Sequence, residues 1–165
     1  MVTTPLEERL RELAGSVPDP ELPVVTLAEL GVLREVRMTG PGQVEVDLTP
    51  TYTGCPAIEA MSADIERVLH DHGIAQVEVR TVLSPPWTTD AITAEGRRKL
   101  AEFGIAPPRP TGPAAGGPVP VALAIRCPHC GSTDTTLLSR FSSTACKALR
   151  RCESCREPFD HFKEL

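Results

Sequence analysis

The chain has 165 residues, 41% of them hydrophobic, a formal net charge of −5, and only one Trp, one Tyr and four Phe. Such a length suits one ordinary domain or a small domain with an appendage. No run of about 18 apolar residues is present to span a membrane. The opening MVTTPLEERL lacks the basic and apolar regions of a secretory signal. The expected location is therefore the reducing cytoplasm, where the six cysteines read as metal ligands or functional thiols ahead of disulfides.

In chain order, the first element is a helix whose start is written locally. Thr4 is the N-cap, Pro5 takes the first helical position and Glu7 completes a capping box. Leu6, Leu10 and Leu13 recur at helical spacing, and Gly15 is expected to end the helix. After the loop VPDPELP, Val32, Val36 and Met38 share one parity and Val44, Val46 and Leu48 another, with Gly40-Pro41-Gly42 between them. That pattern is a hairpin. Ile58, Met61, Ile65, Val68 and Leu69 mark an amphipathic helix stopping at Gly73. Val77, Val79 and Leu83 give a third strand, and a last helix runs from about Ala94 to Phe103 behind a Thr93 cap. The order α-β-β-α-β-α predicts a small α+β domain, helices packed on a three-stranded sheet, over residues 1–106.

Strands two and three are joined through a helix, so they are expected to be parallel, with the first strand antiparallel to the second. The segments DPELP (19–23), TPTYTGCPA (49–57) and SPPWTTD (84–90) should then meet at one sheet edge. There, Cys55 precedes a helix, where free N–H groups and the dipole are expected to lower a thiol pKa. An isolated cysteine that merely fills core is the competing reading. Asp19 and Glu21 converge on the same edge, though acids are also common in proline-flanked turns. Trp87 either covers the site or caps the core. His70 and His72 close a helix and answer its dipole.

Residues 107–120, PPRPTGPAAGGPVP, hold six prolines and three glycines and read as a semi-extended linker. Charge divides with it. Residues 1–106 carry 9 Lys and Arg against 17 Asp and Glu, a net of −8, whereas residues 107–165 carry 8 against 5, a net of +3.

The second module, residues 121–165, is built around Cys127-x2-Cys130, 21 intervening residues and Cys152-x2-Cys155. Two knuckles supply four thiolates, the closed tetrahedral set of a structural zinc; iron in the same cage is the rival. Thr135–Phe141 and Ala148–Arg151 supply a ribbon hairpin. So small a module needs the metal for its folding free energy. Cys146 is read as a packed hydrophobe, with an alternative ligand or reactive thiol as the minority reading. Four thiolates and a divalent metal together carry −2, so the ribbon is near neutral and joined to an acidic domain. Nucleic acid is a poor partner for such a chain. No hydrolase triad, phosphate loop or dinucleotide fingerprint is present.

DPELP followed by TPTYTGCPA resembles the SufT-type family of iron–sulfur assembly factors, in which an acidic DPE motif and a single cysteine characterise the domain. TPTYTGCPA, WTTD at 87–90 and STACKALRRCESCREPFDHFK at 143–163 together resemble the D-component family of bacterial phenylacetate degradation, over nearly the whole chain. That resemblance implies an accessory role beside the monooxygenase that converts phenylacetyl-CoA to its ring 1,2-epoxide. Cys55 would handle iron or a nascent cluster beside Asp19 and Glu21. The clients would be the flavin and [2Fe–2S] reductase or the di-iron oxygenase, and the upstream partner the iron–sulfur assembly machinery. A single cysteine cannot hold a cluster alone, so a homodimer or an external ligand would be required. Thr53 stands where the family pattern has serine, and Glu164 where some relatives have a cysteine. The expectation is a non-catalytic maturation factor. Its rivals are a structural or electron-transfer subunit of the oxygenase and a zinc-ribbon adaptor.

Overall fold

The computed structural model describes residues 4–109 and 124–164. Most of the proline-rich linker, residues 110–120, lies outside them. The chain forms two compact units: one extends to Trp87 and includes Ala91–Thr93, the other takes Thr88–Asp90 and everything from Ala94. No helix among the described residues is long and apolar enough to cross a membrane.

The first unit opens with α1 (Pro5–Gly15), fixed by its capping box: the Glu7 N–H donates to Thr4 Oγ1 at 3.2 Å and the Thr4 N–H to Glu7 Oε2 at 2.9 Å. Gly15 is the last residue of this helix, as expected, and Ser16 caps it. Gly15 is buried, and a Cβ there would lie 3.0 Å from that of Ala28, so glycine serves close packing. Leu10 is buried, whereas Leu6 is 51% exposed. A four-residue α2 (Leu27–Leu30) follows, with its own capping box from Thr26 and Glu29. It is too short to show a 3.6-residue period, so the sequence pattern does not reveal it.

Strands β1 (Leu33–Gly40) and β2 (Gln43–Leu48) form the antiparallel hairpin, with Val36 opposite Val46 and Met38 opposite Val44. Helix α3 (Ala57–Asp71) carries the chain across to β3 (Gln76–Thr81), which pairs parallel to β2 from Gln43↔Gln76 to Leu48↔Thr81. The sheet order is β1-β2-β3. Helix α1 packs on β1 and α3 on β3, covering Val36, Val44, Val46 and Leu48 with Met61, Ile65 and Leu69, all buried. Each such side chain contributes about 1.5–3 kcal/mol by leaving water. Side chains of α1 also serve the outer edge of β1: the Met38 N–H donates to Glu7 Oε1 and Arg11 donates to the Arg34 carbonyl. Leu83 is not part of the third strand. It lies past the end of β3, 61% exposed.

The second unit contains α4 (Ala94–Glu102) and a short β4 (Ile105–Ala106) as well as the ribbon strands β5 (Thr135–Ser139), β6 (Lys147–Cys152) and β7 (Pro158–Phe162). Its sheet runs β4-β7-β6-β5. Residues 94–106, which the position of the linker groups with the first half in sequence, here lie with the ribbon: β4 pairs parallel to β7 and α4 packs against β4. A two-residue strand carries no period-2 signal, so composition alone could not reveal this pairing.

The opposite face of the first sheet holds an ion network. Arg37 bonds Glu35, Glu45 and Asp47, and Arg80 bonds Glu45 and Asp47. Burial works to raise the Asp47 pKa, but the Arg37 and Arg80 hydrogen bonds outweigh it and hold the carboxyl below its ordinary range. A depressed folded-state pKa stabilises the protein above the unfolded value of about 3.9 and loses that contribution as pH falls below it. Denaturant midpoints between pH 6 and 3 should therefore fall steeply below about pH 4, and Asp47→Asn should flatten that acid limb. An unchanged limb in the variant would count against the network as its source.

Candidate functional site

The parallel register of β2 and β3 ends both strands at the same sheet edge, where β1 begins. The chain segments leaving and entering there carry the chemistry. In the DPELP loop the Asp19 N–H donates to the Val25 carbonyl, while Asp19 Oδ1 accepts from the backbone N–H groups of Glu21 at 2.8 Å and Leu22 at 2.7 Å. Asp19 is buried at 3% exposure, so one of its oxygens is committed to building the turn. Glu21, half-buried, is the acid this turn presents.

Cys55 closes the loop after β2. Its N–H donates to the Tyr52 carbonyl at 3.2 Å, and Pro56 caps α3 with no side-chain hydrogen bond. The unfilled cap leaves the first-turn N–H of Ala57 to bond the Cys55 sulfur, which also bonds the Tyr52 side chain. Those contacts favour the thiolate, yet the thiol pKa is raised. Burial is the dominant cause, and the charges of Glu21 and Asp19 add to it. The expectation of a lowered pKa is corrected here. A helix N-terminus does stabilise the anion, but the thiol of a residue only 7% exposed, within the field of Glu21 and Asp19, loses more than it gains.

Beside this loop lies a pocket of about 110 Å³ lined by Thr49, Pro50, Thr51, Tyr52, Thr53, Leu83, Pro86 and Trp87. Trp87 is 5% exposed and donates from Nε1 to the Leu30 carbonyl at 3.0 Å, tying the loop after β3 to the C-terminus of α2. It both packs and lines the pocket. Sequence reasoning does not find Thr49: it is 1% exposed and its Oγ1 has no hydrogen-bond partner among the described residues. A threonine ending a strand gives no signal of that. His70 and His72 place Nδ1 2.8 Å from the Ile74 carbonyl and 2.7 Å from the Val68 carbonyl, at the C-terminus of α3.

In the second unit, Cys127, Cys130, Cys152 and Cys155 bring their sulfurs within 4.8 Å of one another. The pairs 127–155 and 130–152 stand 3.8 and 3.5 Å apart. A tetrahedron with zinc–sulfur bonds of about 2.3 Å has edges of about 3.8 Å, so the set fits zinc. Each knuckle closes with a left-handed residue: the Gly131 N–H (φ 77°) donates to the Cys127 carbonyl and the Arg156 N–H (φ 68°) to the Cys152 carbonyl. Ser132 and Ser154 hydroxyls join the knuckles at 2.8 Å. A small core of Ala106, Ile125, Cys127, Cys152 and Phe159 surrounds the site. Cys146 lies outside it, buried, with its sulfur 3.1 Å from Thr144 Oγ1. Among the described residues, Cys55, Asp19 and Glu21 do not close into a comparable donor cluster.

Residues 7–83 match the family described as iron-sulfur cluster assembly protein, and residues 114–163 match the PaaD zinc beta ribbon domain. An Escherichia coli K12 protein, provisionally named as the D component of 1,2-phenylacetyl-CoA epoxidase, is 45% identical over 98% of this chain and 95% of its own length. The chain belongs to the phenylacetate-degradation D-component (PaaD) family. It thus joins an assembly-factor domain to a zinc ribbon. The Bacillus subtilis Fe-S protein maturation auxiliary factor YitW is 32% identical over 53% of this chain and 86% of its own. A Bacillus anthracis DUF59 domain of unknown function has the same fold, with a TM-score of 0.53 and 27% identity over 57% of this chain and 90% of its own.

Because β4 and Ala106 belong to the ribbon core, losing the metal should be felt beyond the knuckles. Cys152→Ser is expected to abolish zinc binding and to remove hydrogen-exchange protection from α4 and β4 as well as from residues 124–164, while β1–β3 keep theirs. Cys146→Ser should retain zinc. Stoichiometric zinc in Cys152→Ser, or protection of α4 unaffected by it, would contradict this account.

Proposed function

We propose that the chain is a non-catalytic maturation factor for the metal centres of a phenylacetyl-CoA epoxidase system. In this reading Cys55 receives iron or a nascent cluster as cargo, and Asp19 and Glu21 supply the charge that attracts it. Zinc in the ribbon, held by Cys127, Cys130, Cys152 and Cys155, is structural.

The observation that carries this reading is the environment of Cys55. Burial and two carboxylates keep the thiol protonated, so it is a poor standing nucleophile. A cation reverses that balance: Glu21 and Asp19 then stabilise the ion, and the Ala57 N–H stabilises the thiolate. Taking up iron breaks the Sγ–H bond, releases the proton to water and forms an Sγ–Fe bond, with the iron oxidation state unchanged. Relatives named as Fe-S maturation auxiliary factors in Bacillus subtilis and Staphylococcus aureus support the class of function. The name of the E. coli relative, as a component of the epoxidase itself, favours a second reading, a structural or electron-transfer subunit of the oxygenase. The client under the first reading is the reductase with its [2Fe–2S] cluster or the di-iron oxygenase.

The two readings separate in cells carrying wild type, Cys55→Ala or no copy. Under the maturation reading, Cys55→Ala folds, with a small change in Tm, yet iron and acid-labile sulfide in the purified reductase, or iron in the oxygenase, drop several-fold. Epoxidase assembled beforehand stays active once this chain is removed. Fully loaded clients in the Cys55→Ala cells would overturn the assignment of Cys55. Fully loaded clients in cells with no copy, with activity returning on adding the protein back, would establish the second reading instead.

A further inference from the structure

Among the described residues, the second sheet ends in an edge with little protection. β5 is the outermost strand in the order β4-β7-β6-β5, and its sequence TTLLS contains no charge and no proline, the usual guards of an open edge. Leu137 and Leu138 are 44% and 48% exposed, and Phe141 just beyond them is 64% exposed. Thr135–Leu137 keep regular register with Cys152–Arg150, and a bulge falls at Leu138. The far end of the edge is held in place: Lys163 Nζ donates to the Arg140 carbonyl at 3.2 Å and sits 4.6 Å over the Phe141 ring.

The flanking charges suggest what covers this edge. Asp134 stands three positions before Leu137 and Arg140 three positions after it; both are exposed. Neighbouring charges of the ribbon pair among themselves, Lys147 with Asp160 and Arg151 and Arg156 with Glu153. We propose that β5 is a homotypic interface, pairing antiparallel with β5 of a second copy about a two-fold axis near Leu137. In that register Leu137 meets its symmetry mate, Thr136 meets Leu138, and Asp134 of each copy lies opposite Arg140 of the other. The arrangement is self-complementary, as an isologous contact must be. A parallel pairing in register would set Asp134 against Asp134 and Arg140 against Arg140, so charge selects the antiparallel form.

Sedimentation equilibrium of the zinc-loaded full-length protein over a concentration series should show a monomer–dimer equilibrium that weakens with salt. Arg140→Asp and Asp134→Arg each create two like-charge pairs and should each raise the dissociation constant roughly tenfold. The double exchange Asp134→Arg with Arg140→Asp should restore dimerisation, a result that a general fold defect would not produce. Leu137→Lys, which sets two ammonium groups at the axis, should abolish it. Zinc content and circular dichroism check that each variant is folded. Wild type that remains monomeric throughout overturns the proposal and leaves the edge to a strand of another protein. A dimer unmoved by both single reversals overturns it as well.

Discussion

The candidate site depends on the position of β2, which pairs antiparallel with β1 and parallel with β3. Parallel neighbours cannot be joined by a tight turn, so the chain must cross over through α3. The crossover fixes several positions at once. The α3 N-terminus falls where β2 ends, the exit of β3 lies beside it, and the approach to β1 arrives at the same edge. Cys55, the pocket-lining residues of both exit loops and the DPELP turn thereby become neighbours, although 67 residues separate Asp19 from Trp87. The buried row Val44, Val46 and Leu48 locks the register, because a one-residue slip would turn that row to the charged face.

At that edge, two opposing effects act on one sulfur. The uncapped start of α3 offers an N–H group, which favours the thiolate, while burial and two carboxylates favour the thiol. The thiol prevails in the free protein, and an arriving cation would shift the balance by pairing with the same carboxylates. Under the proposed function, charge arranged this way would disfavour indiscriminate thiol chemistry and favour capture of a cation. Asp19 contributes twice: its carboxylate orders the turn that presents Glu21, and its charge reaches Cys55.

The second unit solves a different problem. Its sheet is short and its core small, centred on Ala106, Ile125, Cys127, Cys152 and Phe159. Two of those five residues are metal-site cysteines, so the apolar core and the donor set share atoms. The addition of β4 and α4 enlarges the core from outside the cysteine motif, while β5 forms the other edge of the sheet among the described residues.

Much of this was legible in the residues themselves. Local chemistry wrote the start of α1, since Thr4, Pro5 and Glu7 act within one turn. Period-2 runs wrote the hairpin, and the helical spacing of Met61, Ile65 and Leu69 wrote α3. The paired Cys-x2-Cys knuckles specified four converging sulfurs because a tight turn fixes each pair. Other features depended on partners distant in sequence and left no local trace. Gly15 is buried against Ala28 as well as ending its helix, β4 exists only because β7 offers it a neighbour, and Thr49 has a hydroxyl with no hydrogen-bond partner among the described residues because of what packs around it. The state of the Cys55 thiol was likewise decided by tertiary structure: sequence could place it at a helix start, but only the fold set how deeply the sulfur is buried and which carboxylates it faces. Local hydrogen bonds and periodicity are encoded within a few residues, whereas burial and long-range charge are properties of the assembled chain.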